Sequence, residues 1–465
     1  MLRVVLKREI LQNLYSLRFL VSLALVIIVF AAGAVSFARS HAAALADHRQ
    51  TRADELDVMR RMAEENATQL AVTKQTLSLA PRPNAFIADA KEKHLPDAIV
   101  YSAWNVFSFQ NKGGTANPFL KKIDELSWTF ITAFVVSFIV LLFTFDAVSG
   151  EKEAKTLALS LANPVSRATL LLGKLLSAVL SVMAIVLVGA LTNLILVLVL
   201  SPGGVSRDLA GEVLGFLAVA ALLSGTFATF GLLSSVVAPS SNVSLLLALS
   251  FWLAFAVVVP NSSTFIAKNL FPILSSETVQ KNVTAAFDDL NKNAPPGSWS
   301  MNTGNPFLPQ HRLRADLQTK RLQAEKGIRD AYYRAMFRQF ESTRLVTALS
   351  PVALFDYLTE AAAGGGYLRF RKAWNDMRVY QGQFLNFFKA LDAADEDSPH
   401  WYNPLENVST TRKPVAFEKV PQFEERPMPL ADRIAPALKY LVINVLLACV
   451  AYFLTFILFV RYDVR

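Results

Sequence analysis

Hydrophobic positions in this chain gather in blocks instead of alternating with polar ones. Six blocks, at about 17–37, 126–145, 171–200, 209–237, 243–260 and 438–460, are long enough to cross a bilayer, which takes about 20 helical residues. Backbone groups find no water in the hydrocarbon core, so each block is predicted to be a helix. The period-two pattern of barrel strands is absent. Pro202-Gly203-Gly204 separates the third and fourth spans, and Pro239 with Ser240, Ser241 and Asn242 separates the fourth and fifth. The first block follows basic residues, as a signal peptide would. Its apolar run of about 20 residues exceeds the roughly 7–15 of a signal core, so it is read as an uncleaved anchor.

The polar stretches carry their own periodicities. Residues 1–16 set Leu2, Leu6, Ile10 and Leu14 at four-residue steps, with Arg3, Lys7, Arg8 and Gln12 on the other side. That pattern predicts a helix lying in the membrane interface. Residues 38–80 hold no Gly or Pro and many helix formers. They predict one helix rising about 60 Å and stopped by Pro81 and Pro83. The chain to residue 125 reads as irregular, with a turn at Gly113-Gly114. A second helix is expected over about 308–348, where Leu313, Leu317, Ala324, Ile328 and Ala335 recur near helical spacing. Ten cationic or histidine side chains lie between His311 and Arg344 against four acidic ones, read as a solvated face or as a surface for an acidic partner or headgroups. Gly364-Gly365-Gly366 reads as a flexible break and the Pro-rich segment 398–430 as an extended return.

Charge orients the spans. Basic residues flank the N-terminal side of the first span, the 146–170 connector (Lys152, Lys155, Arg167, with Lys174 just beyond) and the 461–465 tail. The positive-inside bias places all three in the cytosol. Regions 38–125 and 261–437, about 265 residues, then lie outside. The fold class expected is an all-α membrane protein: six transmembrane helices with a large α-rich extracytoplasmic domain built from two loops. Composition agrees, with 53% hydrophobic residues in 465 and a net charge of +9.

Candidate chemistry is sparse. The phosphate-cradling G-x-x-x-x-G-K-[ST] pattern is missing. No ionisable residue sits mid-span, Asp146 and Lys174 lying at span ends, which disfavours a self-powered carrier. No H-E-x-x-H, G-x-S-x-G or cysteine pair occurs, and Cys449, in the last span, is the single cysteine. His41 and His48 are seven apart on one helix and read as solvated; His94, His311 and His400 are scattered. No catalytic, cofactor-binding or metal residue is assigned. Ser224, Gly225, Ala228, Gly231 and Ser235 form a small-residue stripe suited to close helix packing, within the subunit in preference to a dimer seam.

The connector is the most informative stretch. Glu151, Lys152, Glu153 and Lys155 start a short charged helix, Asn163-Pro164 ends it, and Ser166 can cap the next. A short helix between two stiff spans can transmit a push. F-D-A-V-S-G-E-K-E (145–153), T-L-A-L-S-L-A-N-P-V-S-R (156–167) and L-L-L-G-K (170–174) resemble the connector of ABC-2-type transporter permeases. The terminal Y-D-V-R is similar to that of the NosY-like branch with large external loops. The resemblance implies a subunit of the bacterial cytoplasmic (inner) membrane, paired with a second permease copy or paralogue. It also implies two copies of a cytosolic ABC ATPase that bind ATP and Mg, the chain itself holding no cofactor. Gly150, Glu151, Glu153, Thr156, Leu157, Pro164, Arg167 and Lys174 match the family's ATPase-coupling connector. Relatives often carry Gly before the Thr-Leu pair, where this chain has Ala154-Lys155, so the helix is expected to run on where relatives bend.

Three functions are weighed. An ATP-driven exporter stands first. A mechanotransmitter, moving the outer helices against an envelope partner without passing substrate, stands second. A membrane-anchored enzyme stands last. No nucleic-acid partner is expected, and the substrate is not legible.

Overall fold

The computed structural model describes residues 2–89, 96, 98–110, 126–162, 165–201, 206–298, 309–400 and 410–462. The expected breaks at Pro202-Gly203-Gly204, Gly113-Gly114 and Asn163-Pro164 lie outside the described residues, as do His94 and Asp463–Arg465. Helix α1 (Leu2–Leu14) precedes α2 (Leu17–Glu65), α3 (Ala67–Val72) and three short strands, β1 (Gln75–Ser78), β2 (Ala98–Tyr101) and β3 (Ser108–Gln110). The second span is α4 (Trp128–Ile131), a π-type turn and α5 (Ser137–Thr144). The connector holds α6 (Ser149–Glu153) and α7 (Leu157–Ala162), followed by the long α8 (Arg167–Leu200) and α9 (Leu209–Val237). The fifth span is α10 (Ser241–Trp252), a second π-type turn and α11 (Val259–Asn261). Beyond it come α12 (Ser263–Leu270), α13 (Ser276–Lys292), α14 (Pro309–Thr347), α15 (Pro351–Ala363) and α16 (Gly366–Ala393). Helices α17 (Leu430–Ile434) and α18 (Leu438–Arg461) close the chain. Six helical stretches among the described residues are long and apolar enough to cross a membrane.

Serines open most of the spans. Ser16, Ser127, Ser166 and Ser240 each accept a hydrogen bond from the backbone N–H three residues on, satisfying a donor that the helix start would otherwise leave unpaired. The bundle core follows a chain of rings, Phe30 to Trp128 to Phe216 to Phe355, with centroids 6.1, 5.2 and 6.0 Å apart. Phe355 belongs to α15, which is not itself a span. Eleven of its thirteen residues are buried, so this short apolar helix plugs one end of the bundle.

The helix expected through residue 80 stops at Glu65. Asn66 takes an extended conformation and its side chain accepts from Thr68 and Gln69 N–H at 2.8 and 3.4 Å, ending α2 and starting α3. The second segment fastens to the same place, Val415 N–H donating to Ala63 O at 2.8 Å and Ala67 N–H to Lys413 O at 3.1 Å. The 28 helical residues past position 37 therefore rise about 42 Å, not 60. The stretch to residue 125 is not simply irregular, because β1, β2 and β3 form an antiparallel sheet in that order. Tyr101 on β2 meets Tyr380 on α16, their hydroxyls 3.2 Å apart, and Leu70, Ile99, Phe337, Trp374 and Phe384 share one core. Both long segments thus fold into a single α-rich distal domain.

The triple glycine is a packing platform instead of a flexible break. Gly364 caps α15 at φ +67°, and a Cβ there would strike Arg433. A Cβ on Gly365 would strike Arg82. The two guanidinium groups donate to Ala362 O and Ala363 O, each at 3.2 Å, where the helix dipole favours positive charge.

Candidate functional site

The connector begins where α5 ends, and its first helix does not run on. Lys155 adopts φ +57°. Thr156 N–H donates to Glu151 O at 2.9 Å and Lys155 N–H to Lys152 O at 3.1 Å, the paired bonds of a Schellman end. This corrects the expectation that Ala154-Lys155 would carry the helix onward. A left-handed Lys costs about 1–2 kcal/mol. The bend tucks Leu157 into a pocket with Val148, Leu170, Leu232 and Phe459, leaving it 3% exposed. Burying a Leu side chain returns about 1.5–3 kcal/mol, so burial outweighs the strain.

Charges in the connector then reach the ends of neighbouring helices. Glu153 accepts from Ser241 N–H at 3.1 Å and from Ser241 Oγ at 2.7 Å, capping the start of α10. Those bonds hold its carboxyl below the usual range. Lys152 Nζ donates to Val236 O and Ala238 O at 2.6 and 3.1 Å, at the end of α9, and lies 4.3 Å from the Tyr462 ring. Ser235 Oγ accepts from Val148 and Ser149 N–H at 2.8 and 2.9 Å. Arg167 Nη1 donates to Phe459, Val460 and Tyr462 carbonyls at 3.0, 2.7 and 2.9 Å, closing the end of α18.

Helix α1 joins through a buried lysine. Lys174 Nζ sits 2.6 Å from Glu151 and 3.4 Å from Glu9, and Arg18 pairs with Asp146 at 2.7 Å. Gly173 allows the approach, since a Cβ there would stand 2.7 Å from Val5 Cγ1. Of the coupling residues read from the sequence, Glu151 and Lys174 meet each other, while Glu153 and Arg167 hold different helices. Gly150 lies beside Ser241, Leu157 is buried, Thr156 is exposed, and Pro164 lies outside the described residues. Lys152 and Ser235 belong to the same brace. Lys152 stood in the charged run, and only its distant carbonyl partners give it a role.

The small-residue stripe divides. Ser224, Ala228 and Gly231 are buried, and a Cβ on Gly231 would collide with Thr144 Oγ1, so this part packs α9 on α5. Gly225 has no atom within 4 Å of a would-be Cβ.

Among the described residues the connector brings together no constellation for bond-making chemistry, and its ties between helices suit mechanics. A bent lever, 150–159, is tied directly to α8, α9 and α10, and through Lys174 and Arg167 of α8 to α1 and α18, and it shows Lys155, Thr156, Ala158 and Leu159 to the outside, Leu159 being 69% exposed. A family model described as "ABC-2 family transporter protein" matches residues 3–464. No curated protein matches the chain.

Proposed function

The chain belongs to the ABC-2 family of transporter proteins, and we propose that it is the permease subunit of an ATP-driven exporter of the bacterial inner membrane. Membership implies an ABC ATPase partner in general. In this reading two ATPase copies dock from the cytosol on a pair of permease chains, with ATP and Mg held by the ATPases. The observation that carries it is the brace: a push on the exposed tip at Lys155–Leu159 reaches α8, α9 and α10 directly, and α1 and α18 through Lys174 and Arg167 of α8, by side-chain bonds shorter than about 3.5 Å. The charges Glu151, Glu153, Arg167 and Lys174 then work as internal anchors, and the tip makes the contact.

Two pairs of variants test this. Lys155→Glu with Leu159→Glu should reduce recovery of the ATPase complex while the melting temperature stays unchanged. Glu151→Lys with Glu153→Lys should lower both. Wild-type recovery and ATPase activity with the tip pair would overturn the docking site. A cysteine at Ser342 should react with an impermeant thiol reagent in intact cells; labelling only after lysis would reverse the sidedness.

A mechanotransmitter reading is favoured by one feature, the 49-residue α2 that runs unbroken from the first span into the distal domain. It requires labels at Ala53 and Gln323 to change separation during ATP hydrolysis with no compound crossing liposomes.

A further inference from the structure

Two of the six spans are interrupted by a π-type turn, the second at Thr132–Val136 and the fifth at Leu253–Val258. Both turns lie toward the distal domain, at the opposite end of their spans from the connector. In each, one N–H reaches back five residues instead of four. Ser137 N–H donates to Thr132 O and Val259 N–H to Ala254 O, so Ala133 O and Phe255 O lose their usual partners. A serine hydroxyl takes each of them. Ser137 Oγ donates to Ala133 O at 2.5 Å, and Ser350 Oγ, from the cap of α15, donates to Phe255 O. Such replacements make a slipped helix tolerable in a membrane. In the fifth span the sequence supplies a cause, because Pro260 offers no N–H and its ring presses on the carbonyl four residues before it.

The two turns are joined to each other and to α15. Trp252 Nε1 donates to Ser137 Oγ at 2.9 Å, and its ring meets Phe138 edge-on with centroids 5.7 Å apart. Val352 and Phe355 of α15 share a core with Ala133, Val136 and Ala256 of the turns. At the connector end the same two spans are tied again, Ser244 Oγ donating to Phe145 O at 2.5 Å and Glu153 holding Ser241. Segments 137–144 and 241–252 are therefore one two-helix unit, fastened at both ends. From the domain side α15 is fixed by the Arg344–Glu360 pair and by Arg433 on Ala362 O.

We propose that the paired π-type turns are the hinge of this subunit. Helices α8 and α9 are unbroken and move as rods. The 137–144 and 241–252 unit is held to α15 at one end and to the connector at the other. A push on the connector bends it where the hydrogen-bond ladder has already slipped by one residue, as hinges absorb motion at a few positions near element ends. The hinge rests on the reading of the connector as the pushed element and serves exporter and mechanotransmitter alike.

Hydrogen–deuterium exchange of the full chain in lipid nanodiscs, alone and with the co-purified ATPase, tests this. In the chain alone, 132–137 and 253–259 should exchange about tenfold faster than 190–197 of α8 and 212–219 of α9, unbroken stretches as near the domain end. ATP turnover should raise exchange at both turns about tenfold further and leave α8 and α9 unchanged. Equal exchange in turns and controls overturns the hinge and leaves the permease reading standing. So does a lack of response at the turns while the bound ATPase hydrolyses ATP, and a rise at one turn only overturns the pairing. If no ATPase is recovered with the chain, the permease reading falls, while turns faster than the controls still support the hinge.

Discussion

Apart from the buried Lys174–Glu151 pair at the connector, the two ends of the bundle use charge in opposite ways. At the connector end, Glu153, Lys152 and Arg167 close helix termini near the surface, each bonding backbone that a neighbouring helix leaves open. At the domain end the charges are buried and paired with one another. Arg433, its side chain 5% exposed, lies 3.1 Å from Glu212 and 2.6 Å from Asp208. Arg344 pairs with Glu360 inside a cage of Phe340, Tyr357 and Tyr367 rings. Burial pushes the Glu360 carboxyl upward against the pull of Arg344. Surface caps are weak, screened and remade easily; a buried pair is costly to break because the survivor is left uncompensated. The connector end is therefore built to be moved, and the domain end to hold the distal domain on the spans.

Four variants sharpen or break that contrast. Arg433→Ala should have the largest effect, destabilising the protein by about 3–5 kcal/mol in denaturant unfolding in detergent, with little change between low and high salt. Gly231→Val overpacks α9 on Thr144 and should cost about 1–3 kcal/mol, read as a lowered melting temperature. Arg167→Ala removes a half-buried cap and should cost about 1 kcal/mol, a loss that shrinks in high salt. Equal salt dependence for Arg433→Ala and Arg167→Ala would end the distinction between the two ends. Lys155→Gly relieves the left-handed backbone at the price of a freer unfolded chain, and a net gain of about 0.5 kcal/mol is expected. A loss there would mean that the Lys155 side chain itself stabilises the bend.

The distal domain was less legible than the spans, and α16 shows why. Tyr367, Phe370, Trp374, Met377, Phe384 and Phe388 are buried at helical spacing, a signal as regular as that of α14, yet Gly364-Gly365-Gly366 drew the reading toward a loop. Only the placement of Arg82 and Arg433 explains the glycines. His41 is the parallel case in the candidate sites: on a polar helix a histidine reads as solvated, and the 78–89 segment that buries it is far away in sequence.

The chain alone determined the six spans, the Ser166 cap and the charged connector, because a bilayer makes each helix satisfy its own backbone and that demand is local. Tertiary structure decided the end of α2 at Asn66, the bend at Lys155, the plug formed by α15 and the partner of every buried charge. Each of these depends on a residue tens to hundreds of positions distant, as Ala63 does on Val415 and Arg433 on Glu212, and burial against such partners is what outweighs local preference.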